Sequence, residues 1–133
     1  MRHAIAIVLG LVTTVALSLT GQLALSSVLA APDGSALPLG RTFLSATLAL
    51  AFAASVAGGF VAAHAAPSHR MRAALGVALG VLALGIVATH DAPPGAPRVI
   101  VWALPALAWV GALGGGVVRA TVRGATAEAK DRA

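Results

Sequence analysis

Four long stretches without a charged residue separate the ionisable side chains of this chain, and this spacing most constrains its fold. No Asp, Glu, Lys or Arg lies between His3 and Asp33, between Arg41 and Arg70, between Arg72 and Asp91, or between Arg98 and Arg119. Each stretch reaches or approaches the roughly 20 apolar residues needed to cross a bilayer. Lipid offers no water to the backbone, so each crossing segment must satisfy its own amides as a helix. The expected fold is therefore all-α, an integral membrane bundle of four transmembrane helices forming one domain over residues 1–133. The spans are expected at about 4–30, 42–63, 71–89 and 99–118, with a polar tail over 119–133 as a short frayed helix at the membrane surface.

The first run has a second reading. Arg2 and His3 resemble a signal n-region, and Val28-Leu29-Ala30 a small-residue cleavage site. Signal h-regions are usually about 7–15 residues long, and this run is much longer, so a retained helix is expected. Cleavage would leave three spans. The punctuation between spans is clear. Pro32-Asp33-Gly34-Ser35 and Pro38-Leu39-Gly40 read as turns. Pro67 closes the second span, because the residue before proline disfavours the helical region. His90 to Pro97 is a proline-rich loop.

Composition enters where it decides between partners. The chain of 133 residues is 59% hydrophobic and 10% charged, with a net charge of +5. Its mean hydropathy is +0.94. A soluble basic protein would suggest nucleic acid. Here the cations sit between and after apolar runs, where they set orientation and meet anionic head groups. The expected partners are the lipid bilayer and further membrane chains, as a homo-oligomer or a larger complex, and not nucleic acid. Arg2, Arg70, Arg72, Arg119, Arg123, Lys130 and Arg132 fall on one side of a four-span topology. Arg41 and Arg98 fall on the other. The positive-inside rule then places both termini in the cytoplasm. The richness in alanine, glycine, valine and leucine suits a high-GC bacterial genome, hence a multi-pass protein of the bacterial cytoplasmic membrane. Trp102 is expected at the outer interface and Trp109 between helices.

Small residues let membrane helices approach, and each span carries such a stripe. Gly10, Thr14, Ser18, Gln22 and Ser26 recur every four residues in the first. Thr47, Ala51, Ser55, Gly59 and Ala63 do so in the second. The third has Gly76 and Gly80, and the fourth Gly111 and Gly115. These are expected contact faces. Gly58 and Gly59 are expected to meet Gly76 and Gly80 across the short central turn. Pro105 is expected to bend the fourth span. Gly58-Gly59-x-Val61-x-Ala63 and Gly115-Gly116-x-Val118-x-Ala120 echo one another, although the two halves otherwise match poorly.

The same residues exclude most chemistry. There is no cysteine, hence no thiolate zinc site or thiol nucleophile. His64 and His69 are five apart, not a one-face pair, and no carboxylate lies nearby. No metal, cofactor or catalytic site is expected, and the protein is read as not an enzyme. Small multidrug exporters share the four-helix architecture and length, but that family relies on a glutamate in its first helix, and this first span has none. Thr14, Ser18 and Gln22 form the most polar feature inside a span. Helix-to-helix hydrogen bonding is the preferred reading of it, and the lining of a small polar pathway the alternative.

The string Gly58-Gly59-Phe60-Val61-Ala62-Ala63, followed by a short basic turn and a glycine-rich third span, resembles a broad group of small four-helix bacterial membrane proteins. The resemblance is best over the second and third spans. It implies a membrane bundle and brings no activity or catalytic residues. The expected role is thus a structural or interaction component of the membrane, with a small transporter or channel subunit as the alternative.

Overall fold

A computed structural model describes residues 2–29, 41–66, 69–90 and 98–131. The turns at Pro32–Ser35, Pro38–Gly40 and Pro67-Ser68, and most of the proline-rich loop, lie outside the described residues. Four helices account for nearly all the rest: α1 (Arg2–Leu29), α2 (Arg41–Ala65), α3 (Arg70–His90) and α4 (Arg98–Asp131). All four are long and apolar enough to cross a membrane, over His3–Val28, Phe43–Ala65, Arg70–Ala88 and Trp102–Val122. By length and composition the four helices suit a multi-pass membrane protein.

The described central turn is tightly built. The Ala66 amide donates to the Ala62 carbonyl at 3.0 Å, completing the last turn of α2. His69 then takes a left-handed conformation, with φ of 51°. Its carbonyl accepts from the amides of Arg72 at 2.8 Å and Ala73 at 3.4 Å, which starts α3. A non-glycine residue in this region is uncommon, and here it stands directly before the first residue of α3. The fourth helix departs from expectation. Residues 119–131 are not a separate short helix but a continuation of α4, which runs 34 residues through Pro105 without interruption. Nothing between Val118 and Asp131 breaks it, since the stretch holds no proline and one glycine, Gly124.

The packing order is not the chain order. α2 packs most extensively on α4 and then on α1. α3 packs on α4 and more lightly on α2 and α1, while the described residues of α1 and α4 do not meet. The helices therefore circle as α1, α2, α4, α3, with α2 and α3 touching across the short diagonal. The buried cluster joins Ala6, Ala62, Ala66, Ala73, Val77, Ala78 and Ala112, with Ile7, Leu11, Val81, Trp109 and Leu113 packed on it. It lies toward the end of the bundle that carries both termini. Alanine dominates because the helices approach too closely there for larger side chains.

Candidate functional site

The glycines define the contact faces, with partners other than those expected. A Cβ placed on Gly10 would lie 2.7 Å from the Gly58 carbonyl oxygen. One on Gly58 would lie 2.6 Å from that of Gly10 and would fall on the Thr14 hydroxyl. α1 and α2 thus cross backbone to backbone at these two residues. A Cβ on Gly59 would fall on the Ala112 carbonyl oxygen of α4, and one on Gly115 on that of Val56. Gly111 meets Phe52 and Ser55, the former through its carbonyl oxygen at 2.8 Å.

The expected pairing of Gly58 and Gly59 with Gly76 and Gly80 is not formed. The nearest atoms to a Cβ on Gly76 belong to Ile7, and to one on Gly80 they belong to Leu11. The short turn brings α2 and α3 side by side, but their glycines point past each other, into α1 and α4. The Gly-Gly echo also fails as a repeat. Gly58 faces α1, its hairpin partner, whereas its counterpart Gly115 faces α2, in the other hairpin. Gly59 faces α4, whereas its counterpart Gly116 meets Ala74 of α3. A two-fold repeat would preserve these assignments.

The polar stripe of the first span is split. Thr14 is buried at the α1–α2 crossing, and its hydroxyl donates to the Gly10 carbonyl at 2.9 Å. Ser18 is half-buried and Gln22 exposed, while Gly21 rather than Gln22 faces Leu50 of α2. The cause is helical geometry. A step of four residues overshoots a full turn by about 40°, so two steps carry the stripe off the contact face. The neighbouring hydroxyls are also bonded within their own helices. Thr13, Thr47 and Ser55 donate to the carbonyls of Leu9, Phe43 and Ala51, four residues back in their own helices, at 2.8, 2.9 and 2.8 Å. Such back-bonding satisfies the hydroxyl locally.

The end carrying the termini gathers basic and aromatic side chains from α1, α2, α4 and the turn before α3. The His3 and His69 rings lie 6.2 Å apart. Phe60 and the exposed His64 stack at 6.4 Å, and the Arg119 guanidinium sits 5.6 Å from the Phe60 centroid. Sequence spacing does not reveal this grouping, because its members come from different helices. Among the described residues no three metal-ligating side chains come together. Trp102 is 60% exposed, while Trp109 packs on the core with its indole N–H buried and unbonded among the described residues.

Compared with protein-family profiles, with curated proteins and with solved structures, the chain matches none.

Proposed function

We propose that the protein is a non-enzymatic structural or interaction component of the bacterial cytoplasmic membrane, acting by packing against other membrane chains. The observation that carries this reading is how the intramembrane polar groups are used. The hydroxyls of Thr14 and Ser55 are buried and bonded to their own helices. No span holds Asp, Glu, Lys or Arg away from its ends. Proton-coupled transport usually needs such a group. The alternative, a transporter or channel subunit built on Thr14, Ser18 and Gln22, needs these to line one path, and their three different exposures count against it.

Two measurements test the reading. Purified protein in sealed vesicles should pass protons and potassium no faster than empty vesicles do. Flux that disappears in Thr14→Val would reinstate the polar pathway. Reporter fusions active only outside the cytoplasm should be bright near Gly34 and Gly95, and dark near Ser68 and after Arg123. A bright fusion at Ser68 would invert the arrangement on which the membrane orientation rests.

A further inference from the structure

One side chain is left without an account inside the bundle. Gln22 is exposed on α1, and its carboxamide bonds none of the described residues. It lies six residues before the end of the apolar span at Val28, or about 9 Å of helix rise. Helical side chains lean toward the helix N-terminus. The carboxamide is therefore directed into the span and away from the nearer surface. An amide there must find a partner, because an unsatisfied polar group in hydrocarbon costs several kcal/mol.

Gln22 also does not stand alone. Ile5, Val8, Val12, Val15, Leu19 and Gln22 follow one another at alternating steps of three and four residues. The five apolar members are each between 42% and 59% exposed. Together they form a continuous seam on the side of α1 away from Gly10 and Thr14, which pack on α2. Alternating three- and four-residue spacing is the pattern by which two helices supercoil, and a single polar residue within it fixes register.

We propose that this seam is where a second copy of the chain docks, making a two-fold dimer with the α1 helices parallel and the two Gln22 carboxamides hydrogen-bonded to each other. The occupant follows from chemistry and symmetry. A carboxamide both donates and accepts, so it complements itself. A two-fold axis along the membrane normal brings equal residue numbers to the same depth, because both copies insert the same way round. The amide pair then closes reciprocally, each oxygen accepting from the other's N–H. This deepens the reading of the protein as an association component, on which it rests.

The chain contains no cysteine, so single cysteines report proximity cleanly. Oxidation in lipid membranes should cross-link Val12→Cys, Val15→Cys and Leu19→Cys at least fivefold faster than Leu9→Cys and Thr20→Cys, which are exposed but off the seam. Gln22→Leu should weaken the dimer about tenfold, the order of the two interhelical hydrogen bonds lost, and Gln22→Asn should weaken it less. Melting of the monomer should stay unchanged, since Gln22 is exposed on its own bundle. Equal cross-linking at all five positions overturns the seam. A seam pattern that persists with full affinity in Gln22→Leu overturns the amide pair, and a trimeric mass overturns the two-fold arrangement. A monomer at every lipid dilution sinks the dimer but leaves association with other membrane chains standing, and that wider reading is decided separately by the flux measurement.

Discussion

The two ends of the bundle are built from different residues and hold together differently. At the end carrying the termini, Ala6, Ala62, Ala66, Ala73, Ala74 and Val77 are buried, and backbones touch through Gly10, Gly58, Gly59 and Gly115. Toward the far end no described residue of α1 beyond Thr14, of α2 before Ala54, or of α3 beyond Ala78 is buried. Pro105 and Ala108 of α4 are the exceptions, Pro105 being wedged where a Cβ on Gly85 would lie 2.5 Å from its own Cβ. Leu23, Leu84, Val87 and Trp102 there point outward. Bulky side chains hold helix axes apart, and lipid tails solvate a leucine as well as a neighbouring helix does. The tight end therefore supplies most of the packing energy, and the far end is the part that can open or accommodate a neighbour.

The sharpest way to break this contrast is to add volume at the tight end. Gly59→Leu places its Cβ on the Ala112 carbonyl, where backbone cannot yield, and should cost about 3 kcal/mol or more. The expected readout is a large drop in melting temperature in detergent. Gly114 is the internal control. It lies in α4, two residues from Ala112, with nothing within 4 Å of an added Cβ, so Gly114→Ala should be neutral or stabilise by up to about 1 kcal/mol through helix propensity. Equal melting of the two variants would show that glycine content, and not close approach, matters at this end.

This split between two glycines on facing helices is also where sequence reading stopped. The four helices were legible, because charge-free runs of bilayer length permit little else. So was the importance of small residues. Their partners were not. Whether Gly58 faces α1 or α3 depends on how the hairpins circle, and no local pattern encodes that order. The stripe through Thr14, Ser18 and Gln22 misled for a related reason. Its regular spacing suggests one face, but a four-residue repeat rotates, and only Thr14 stays buried. Gln22 carries its meaning because it leaves the interface. The extension of α4 to Asp131 was missed because polar composition argues for a frayed tail, whereas a helix already started needs little help to continue.

A second comparison removes volume from each end. Val77 is fully buried and Leu84 is 54% exposed. Val77→Ala should cost about 1–2 kcal/mol, the loss of packing around a buried side chain. Leu84→Ala deletes more carbon yet should cost less than about 0.5 kcal/mol, since its surroundings are apolar in either state. Unfolding at a series of denaturing detergent fractions would measure both. A larger effect at Leu84 would mean that the far end is covered by another chain.

Trp109 stands at the boundary between the two regions and tests the core from inside. Its ring packs on the core cluster, but its N–H is buried with no acceptor among the described residues. Trp109→Phe keeps an aromatic ring and removes the unsatisfied donor, so it should change stability by less than about 1 kcal/mol, in either direction. Trp109→Ala should cost about 3 kcal/mol by opening a cavity. If the two variants melt alike, the indole N–H has an acceptor, such as a trapped water, that contributes as much as the ring.

The smallest effect is expected at the rim of the tight end. His64 is exposed and touches the bundle through its stack on Phe60. Phe60 in turn lies under the Arg119 guanidinium, so the ring has a second neighbour that links α2 to α4. Removing the imidazole leaves that link in place and opens no cavity, because the side chain already borders solvent or head groups. His64→Ala should therefore shift stability by no more than about 0.5 kcal/mol, the usual range for exposed positions. Phe60→Leu removes the aromatic face beneath Arg119 and should cost more, about 0.5–1 kcal/mol. The order of the two variants matters more than either value. If His64→Ala proves the more damaging, or abolishes a measurable activity, then the imidazole holds a partner at this rim, and the turn end of the bundle is a chemical site and not only a packed one.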